Sequence, residues 1–274
     1  MNRKLYVLYG ILLVIALLTM GLLWKFSHRE TALPSRDYPE IRAEGILRIV
    51  TEYNPVGYYV AGDTVEGFQY ELSRAVADLS GLEVQMQLEM NLDNSFAALE
   101  GNKCDIVARN LPVTSEWRDD YLFTDPVMLN KQVLVQRAVD SGHSVQPIRN
   151  QLDLAGKTLY IPQHSPGKVR LENLQHEIGD TIYIREDSLY SSEQLIIMVA
   201  RGDIDYAVCD KKIAEQGAGR FPDIDIRTDI SFTQLQSWAV RKDSPQLLDS
   251  LNGWFRRLRD NGVYDRIYKR YYAD

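Results

Sequence analysis

The stretch from Lys103 to Pro126, KCDIVARNLPVTSEWRDDYLFTDP, most constrains how this chain can fold. An apolar strand is predicted over 105–108, and it runs directly into the polar pair Arg109 and Asn110. Thr114 then has the features of a helix N-cap. In open α/β sheets, ligands bind where a strand gives way to a polar loop and a helix N-terminus. The stretch therefore predicts a ligand-facing sheet edge, although an ordinary strand, loop and helix with a solvated Arg would give the same pattern.

A second segment, roughly a hundred residues further on, repeats this arrangement. In both segments an apolar helix end is followed by a glycine suited to a C-cap, then by an aspartate and a buried strand that ends in a polar residue. The first copy covers 99–107 and the second covers 200–210. Two such units predict two α/β lobes whose ligand-facing edges meet across a cleft. Two units are too few for a solenoid.

Composition and charge exclude several classes of protein. The 274 residues are 45% hydrophobic and 25% charged, which is ordinary for one large or two modest globular domains. The 31 basic and 38 acidic side chains give a formal net charge of −7. Because phosphate contacts need clustered Lys and Arg, we expect no nucleic-acid partner. The four histidines are scattered without metal-ligand spacing, and no phosphate-binding glycine loop is present, so we expect no metal and no other cofactor.

The two cysteines, Cys104 and Cys209, each lie inside a predicted apolar strand. They occupy corresponding positions in the two predicted lobes, which argues against a disulfide between them. We predict that both are small buried hydrophobic side chains.

The N-terminal segment predicts a membrane anchor. Residues 5–24 are twenty residues without a charge, a length that matches a hydrocarbon core of about 30 Å. The basic residues on its two sides nearly balance, no small-x-small cleavage site follows, and no cysteine is placed to carry a lipid. We therefore expect an uncleaved signal anchor over 1–26 and a polar linker over 27–43. The protein would then span the inner (cytoplasmic) membrane once, with its soluble domain in the periplasm.

Strands and helices alternate through the rest of the chain. Strands are predicted at 47–51, 82–90, 132–137, 154–161, 181–185 and 238–240, and helices at 68–79, 95–99, 168–177, 192–200, 245–260 and 263–272. This alternation predicts the α/β class.

Six short motifs fall in an order that resembles a known family. They are LRIVT at 47–51, GFQYEL at 67–72, GxxxD at 101–105, TSEWRDDYLFTDP at 114–126, LAGKT at 154–158 and GxxDY at 202–206. Together they resemble the bacterial extracellular solute-binding proteins of family 3, the polar amino acid binders of ABC transporters. The resemblance spans 44–272 and is closest to the non-catalytic N-terminal domain of the membrane-bound lytic transglycosylases F. Because the sequence ends at Asp274, we expect no catalytic domain after it.

The resemblance implies a two-lobe, periplasmic-binding-protein-like fold of type II with two hinge crossings. The crossings are expected near Asn130 and near Leu235. Lobe 1 would then contain 44–130 and 236–274, and lobe 2 would contain 131–235. The transmembrane helix and the linker would precede both lobes.

The resemblance also carries expectations for the ligand carboxylate. In amino-acid-binding members, an arginine three residues after the threonine of the helix start takes this group. The matching position here is Trp117. Arg118 is one place further on, and Arg109 stands where small hydroxyl residues are usual in the family. Since Arg109 directly follows a predicted strand, it is the preferred partner for an acidic group, whereas Arg118 is expected to face solvent.

Other family positions do have counterparts in this chain. Asp210 matches the aspartate that takes the ligand ammonium, and Glu52 matches an acidic position after the first strand. Tyr53 and Tyr58 are candidate aromatic walls, with surface or core packing as the alternative for each. The complete set of predicted ligand-binding residues is Glu52, Tyr53, Tyr58, Arg109, Asn110, Trp117, Arg118, Ser165 and Asp210.

These features predict a membrane-anchored extracytoplasmic solute-binding protein that closes two lobes on a small polar ligand. The ligand would be an amino acid, a small peptide or a cell-wall fragment, and the partner an ABC transporter permease or an envelope complex. No nucleophile-elbow or related catalytic motif is present, so we do not expect an enzyme. The alternatives are a periplasmic enzyme of the lyase or dehydratase type, using Glu52 or Glu71 for acid–base chemistry, and a non-catalytic accessory of a lytic transglycosylase.

Overall fold

The computed structural model describes residues 36–138 and 146–272, together with residues 13, 19 and 20. The chain divides into two compact units, Met1–Ser35 and Arg36–Asp274, and all the elements below belong to the second. The anchor predicted over 1–26 lies almost wholly outside the described residues. Among the residues that are described, no helix combines the length and the apolar character needed to cross a bilayer.

Strands and helices alternate along the second unit. The strands are β1 (Ile46–Thr51), β2 (Tyr59–Ala61), β3 (Thr64–Glu66), β4 (Glu83–Leu88), β5 (Ile106–Pro112), β6 (Tyr121–Phe123), β7 (Met128–Asn130), β8 (Gln132–Arg137), β9 (Thr158–Pro162), β10 (Tyr183–Asp187), β11 (Ala207–Asp210), β12 (Ile224–Asp229) and β13 (Gln234–Arg241). The helices are α1 (Tyr38–Glu44), α2 (Phe68–Ser80), α3 (Leu92–Glu100), α4 (Ser115–Asp120), α5 (Gly167–Ile178), α6 (Ser192–Arg201), α7 (Lys211–Arg220), α8 (Pro245–Asp260) and α9 (Val263–Tyr272). A short 3₁₀ helix covers Gln151–Leu154.

The strands form two larger sheets, one in each α/β lobe. The first has the order β4-β1-β5-β13-β6, with β7 also paired to β13. The second has the order β10-β9-β11-β8-β12. The chain leaves the first sheet after β7 ends at Asn130 and returns to it when β13 begins at Gln234. The two crossings therefore lie side by side, because β7 and β13 pair with each other.

The two segments that repeat in the sequence occupy equivalent places in the two sheets. β5 lies parallel to β1 and antiparallel to β13, while β11 lies parallel to β9 and antiparallel to β8. Both glycines of the repeat, Gly101 and Gly202, are helix C-caps as predicted. Only Gly202 has the left-handed backbone (φ 85°); in the first copy Asn102 takes it instead (φ 53°). The end of β11 faces the second half of β5, since Asn110 donates to Asp210, and the repeat had predicted that these edges meet.

Three parts of the fold differ from the sequence prediction. The strand predicted to end at Ala108 continues as β5, because Leu111 and Pro112 extend the ladder to Ser237 and Gln236 of β13. Arg109 and Asn110 therefore project from a strand, not from a loop.

The second difference is in the predicted linker over 27–43, which already contains most of α1. This helix starts at Asp37, where a capping box satisfies the backbone of the first turn. The remaining difference consists of elements that were missed: the β2–β3 hairpin, β6, β7, the 3₁₀ helix, α7 and β12. The sequence of α7 contains two glycines, which weaken a helical pattern. Gly217 is required for packing, since a Cβ there would lie 2.7 Å from Cγ2 of Ile196.

Candidate ligand-binding cleft

A cavity of about 360 Å³ lies between the two lobes and is lined by residues from both. Its volume falls in the range of small-molecule binding sites. The lobe 1 side is formed by the loop after β1, the loop before α3, and the middle of β5. The lobe 2 side is formed by the loops after β9 and β10 and the end of β11. The cavity is therefore the cleft that the repeated units predicted.

Arg109 is the centre of a buried polar cluster on the lobe 1 side. Only 8% of its surface is exposed. One terminal nitrogen donates to the carboxylate of Glu52, and the other donates to Oγ of Ser95 at 3.3 Å. Both terminal nitrogens also approach the carbonyl oxygen of Met90 at 3.4 Å. The guanidinium is thus already held by partners from its own lobe.

The loop that carries Glu52 is shaped by Asn54. The side-chain oxygen of Asn54 accepts from the backbone N–H groups of Val56 and Gly57, and its amide nitrogen donates to Glu52 at 3.2 Å. Gly67 closes this turn from the other side. A Cβ at Gly67 would lie 2.3 Å from the carbonyl oxygen of Gly57, and its φ of 130° also favours glycine. A side chain at this position would therefore displace the backbone of the loop at Gly57 and Tyr58.

A chain of three hydrogen bonds runs from the lobe 1 core across the cleft. The indole Nε1 of Trp238, which is fully buried, donates to Gln69 at 2.6 Å. Gln69 donates to the side-chain oxygen of Asn110 at 3.0 Å, and Asn110 donates to Asp210 of lobe 2 at 3.0 Å. Because an indole nitrogen can only donate, the direction of the whole chain is fixed. Asn110 therefore presents its NH₂ group to lobe 2.

Asp210 ends β11 and is the most perturbed acid in the cleft. Burial raises its pKa from the ordinary value of 3.8 to about 6, and the nearby carboxylate of Glu52 adds to this rise. Hydrogen bonds from Asn110 and Asn130, together with the charge of Arg109, act in the opposite direction. Burial raises the pKa more than these contacts lower it, so the ionised form of Asp210 is only partly stabilised by its neighbours.

The charge of the cleft is acidic. Among the described residues that line it, four carry carboxylates and one carries a guanidinium, and a single histidine is present. The acids are Glu52, Asp187, Glu193 and Asp210. Arg109 pairs with Glu52 and Arg220 pairs with Glu193, while Asp187 accepts two backbone hydrogen bonds, so within the described residues Asp210 is the cleft acid without a basic side chain as its hydrogen-bond partner.

His164 bridges the mouth of the cleft. Its Nδ1 lies 2.6 Å from a carboxylate oxygen of Asp93, which belongs to α3 of lobe 1. The backbone of His164 has a φ of 58°, a left-handed conformation that is uncommon outside glycine. Its backbone N–H donates to Glu186 at 3.2 Å, which holds this turn in place. The two lobes are thus joined at the mouth as well as through Asn110 and Asp210.

Six of the nine predicted site residues line the cleft. They are Glu52, Tyr53, Arg109, Asn110, Ser165 and Asp210. The other three lie elsewhere in the described part of the chain. Tyr58 packs edge-on against Tyr70, Trp117 packs against Phe96 in the lobe 1 core, and Arg118 is exposed near Lys242. The helix α4 turns its tryptophan inward because that face covers apolar neighbours.

Sequence reasoning missed Gln69 and Asp93 as partners of the cleft residues. Gln69 lies in the GFQYEL motif, and Asp93 follows the N-cap of α3, but nothing in either pattern marks them as such. From the sequence, His164 and Ser165 are more simply a ligand-facing polar turn than a catalytic pair; both line the cleft, and the contact of His164 with Asp93 was not predicted. The pairing of each residue depends on contacts between segments that are distant in sequence.

The described residues provide buried thiols and no metal-holding group. Burial raises the pKa of the Cys104 thiol to about 12 and also raises that of Cys209, and neither forms a disulfide. Both cysteines are buried as predicted, but only Cys209 lies in a strand, because β5 begins two residues after Cys104. Glu71 pairs with Arg270 and Tyr271 and does not line the cleft. Within 36–138 and 146–272, no three His, Cys, Asp or Glu side chains are arranged to hold a metal ion.

Comparison with solved structures supports the same architecture. A mutant of ArgBP from T. maritima superposes with a TM-score of 0.75 at 23% identity, over 86% of this chain and 99% of that one. An ancestral amino acid-binding protein, described as a precursor of cyclohexadienyl dehydratase, superposes with a TM-score of 0.73 at 21% identity, over 85% and 98% of the two chains. The fold is therefore the two-lobe α/β fold of periplasmic binding proteins.

Sequence comparison identifies the family. The chain is 31% identical over its full length to the membrane-bound lytic murein transglycosylase F of Desulfosudis oleivorans, covering 58% of that protein. It is 28% identical to the transglycosylase F of Cronobacter sakazakii, over 98% of this chain and 51% of that protein. The chain thus spans about half the length of these relatives. Residues 47–274 match the description "Bacterial extracellular solute-binding proteins, family 3", and the chain belongs to that family.

Proposed function

We propose that this chain is a membrane-anchored extracytoplasmic solute-binding protein whose ligand is small and polar and carries a cationic or hydrogen-bond-donating group. The observation that carries this proposal is the charge of the cleft. Among the described residues that line it there are four carboxylates and one guanidinium; Arg109 pairs with Glu52 and Glu193 pairs with Arg220, which leaves the buried carboxylate of Asp210 without a basic partner. A cation placed near Asp210 and Glu52 would offset the electrostatic cost of ionising Asp210.

A buried acceptor on the lobe 2 side supports the same ligand chemistry. Oε1 of Gln132 lines the cleft and has no hydrogen-bond partner among the described residues. The amide packs against the start of α5, where a Cβ on Gly167 would lie 2.7 Å from it. A buried acceptor without a donor is costly, so a donor on the ligand would be favoured here. Asp210 and Gln132 would then hold neighbouring donors.

The role of Arg109 differs from the one that the sequence suggested. We propose that it orients Glu52, because its two terminal nitrogens already donate to Glu52, Ser95 and backbone carbonyls. A ligand carboxylate would have to displace one of these partners. Trp117 and Arg118 lie outside the cleft, so neither replaces the family's carboxylate-binding arginine.

Closure on the ligand would provide the signal. Asn110 and Asp210 come from opposite lobes, so any ligand that bridges them favours the closed arrangement. The receiver of this signal would be an ABC transporter permease or an envelope complex. The likeness to lytic transglycosylases covers about half of those proteins, so an accessory role beside such an enzyme belongs to the same proposal. No chemical conversion of the ligand is proposed.

Calorimetry on the full chain in detergent, with lysine, putrescine and succinate as probes, tests the function. Lysine or putrescine should bind, should raise Tm by mass action, and should be recovered unchanged. Asp210→Asn should weaken binding at least tenfold, since removing one partner of a desolvated charge pair costs about 2–5 kcal/mol. Glu71→Gln, an acid outside the cleft, is the matched control and should leave binding unchanged.

Succinate binding more tightly than both amines would refute the cationic ligand. Conversion of a probe that disappears in Glu52→Gln would refute the binding-only function. Membrane fractionation tests the anchor separately: the protein should remain in the membrane fraction at its full mass, and release of a shortened soluble form would contradict it.

A further inference from the structure

The mouth of the cleft is chemically different from its floor. Four apolar or aromatic side chains line the mouth, two from each lobe, and all are well exposed. They are Tyr53 (41% exposed) and Met90 (49%) from lobe 1, and Leu189 (83%) and Tyr190 (43%) from lobe 2. The acidic floor and this apolar mouth belong to one continuous cavity. Exposed apolar groups that converge on a binding site are typical of surfaces that a ligand covers.

The position of Leu189 is held by its backbone. Oδ1 of Asp187 accepts hydrogen bonds from the backbone N–H groups of both Leu189 and Tyr190, each at 2.9 Å. Asp187 is the last residue of β10, so the turn is tied to the sheet of lobe 2. The side chain of Leu189 therefore remains at the rim although little of it is buried by the protein. Burying it would be favourable, and the cleft offers the place for that to occur.

We infer that the cleft recognises an amine with an apolar extension, in which the ammonium reaches Asp210 and the apolar part lies between Tyr53 and Leu189. The inference rests on the proposed function, since it needs the floor to hold the cation. Charge complementarity favours this orientation, because the carboxylates at the mouth are already engaged. Asp187 accepts from the backbone of Leu189 and Tyr190, and Asp93 pairs with His164, whereas Asp210 has no basic side chain among the described residues as its hydrogen-bond partner. A ligand of this kind would bridge the lobes twice, once at the floor and once at the mouth.

The mouth would then select ligands by their apolar length. Each methylene removed from water contributes to binding, so affinity should rise along a series of amines with identical heads. Across four added methylenes, the gain should be about tenfold or more even if each is only partly buried. A cleft that recognised the ammonium alone would show no such dependence.

The test is calorimetry on the full chain with ethylamine, butylamine and hexylamine, which carry the same charge. Affinity should rise at least tenfold from ethylamine to hexylamine. Leu189→Ser should reduce this rise to less than threefold. Leu152→Ser is the matched control, because Leu152 is also an exposed leucine of lobe 2 (59%) but lies outside the cleft.

The outcomes separate the two proposals. If ethylamine binds and its affinity equals that of hexylamine, the apolar mouth has no role and this inference is overturned, while the proposed function stands. The same conclusion follows if Leu189→Ser combined with Tyr190→Ser keeps the full rise. If none of the amines binds, nor lysine, nor putrescine, then the cationic ligand itself is wrong and the inference falls with it.

Discussion

Replacing Asp210 by Asn should stabilise the ligand-free protein while removing its ligand binding. The pKa of Asp210 is raised from 3.8 to about 6, a difference of roughly 2 units. Each unit corresponds to about 1.36 kcal/mol, which sets an upper limit of about 3 kcal/mol on the cost of ionising this group in the fold. Since Asn110 and Asn130 still donate to the carboxylate, we expect Asp210→Asn to raise the free energy of unfolding by only about 1–2 kcal/mol at pH 7.5. Asn retains the oxygen that accepts from Asn110.

The sign of the pH dependence follows from the direction of the pKa change. The folded-state pKa is higher than the unfolded-state pKa, so the contribution of Asp210 to stability is fully present below about pH 4 and is lost as the pH rises through about 6. In Asp210→Asn the side chain is neutral at every pH of the experiment, so this contribution to stability is not lost. The difference in Tm between variant and wild type should therefore be about 2–8 °C above pH 7 for a protein of this size and should close below pH 4.

The assay is thermal unfolding followed by circular dichroism between pH 3.5 and pH 8, on wild type, Asp210→Asn and the control Asp229→Asn. Asp229 ends β12, lies outside the cleft, and pairs with Lys131 on the surface. Its substitution should not produce the same pH-dependent gain. A variant Asp210→Asn that is less stable than wild type at pH 7.5, or a Tm difference that does not change with pH, would refute the reasoning.

Three further outcomes are expected. Glu52→Gln leaves the guanidinium of Arg109 buried without its charged partner and should lower the free energy of unfolding by about 2–4 kcal/mol in urea titrations; a loss below 0.5 kcal/mol on that scale would contradict the buried pair. Asp93→Asn removes the bridge to His164 and should speed ligand dissociation in stopped-flow measurements. Because both side chains are partly exposed, the increase should be about fivefold at most. Dissociation slower than that of the wild type would exclude the bridge as a closing contact. Trp117→Ala should cost about 2–4 kcal/mol of stability through lost core packing and leave ligand affinity unchanged, so a specific loss of affinity would return Trp117 to the site.

The class and element order of this fold were accessible from local sequence patterns. The strand over 132–137 and the helices over 245–260 and 263–272 have the predicted bounds, because hydrophobic periodicity and capping residues are encoded locally. The repeat around Asp105 and Asp205 predicted two lobes that meet at the ends of β5 and β11. By contrast, α7 was not predicted, because its two glycines weaken the helical pattern. The reason for Gly217, its close packing against Ile196, is visible only in the structure.

The sequence by itself determined which residues could be strands, helices and buried thiols, because each of these depends on neighbours a few positions away. The cleft acids Glu52 and Asp210 came from the family resemblance, and Asp187 and Glu193 were not predicted. Only the tertiary structure decided how the cleft works. It packed the partly buried Trp117 against Phe96, paired Arg109 with Glu52, and left Asp210 facing Asn110 across the cleft. The burial of a carboxylate, and therefore its pKa, depends on groups that come from distant parts of the chain. Local sequence patterns do not record which distant groups will meet.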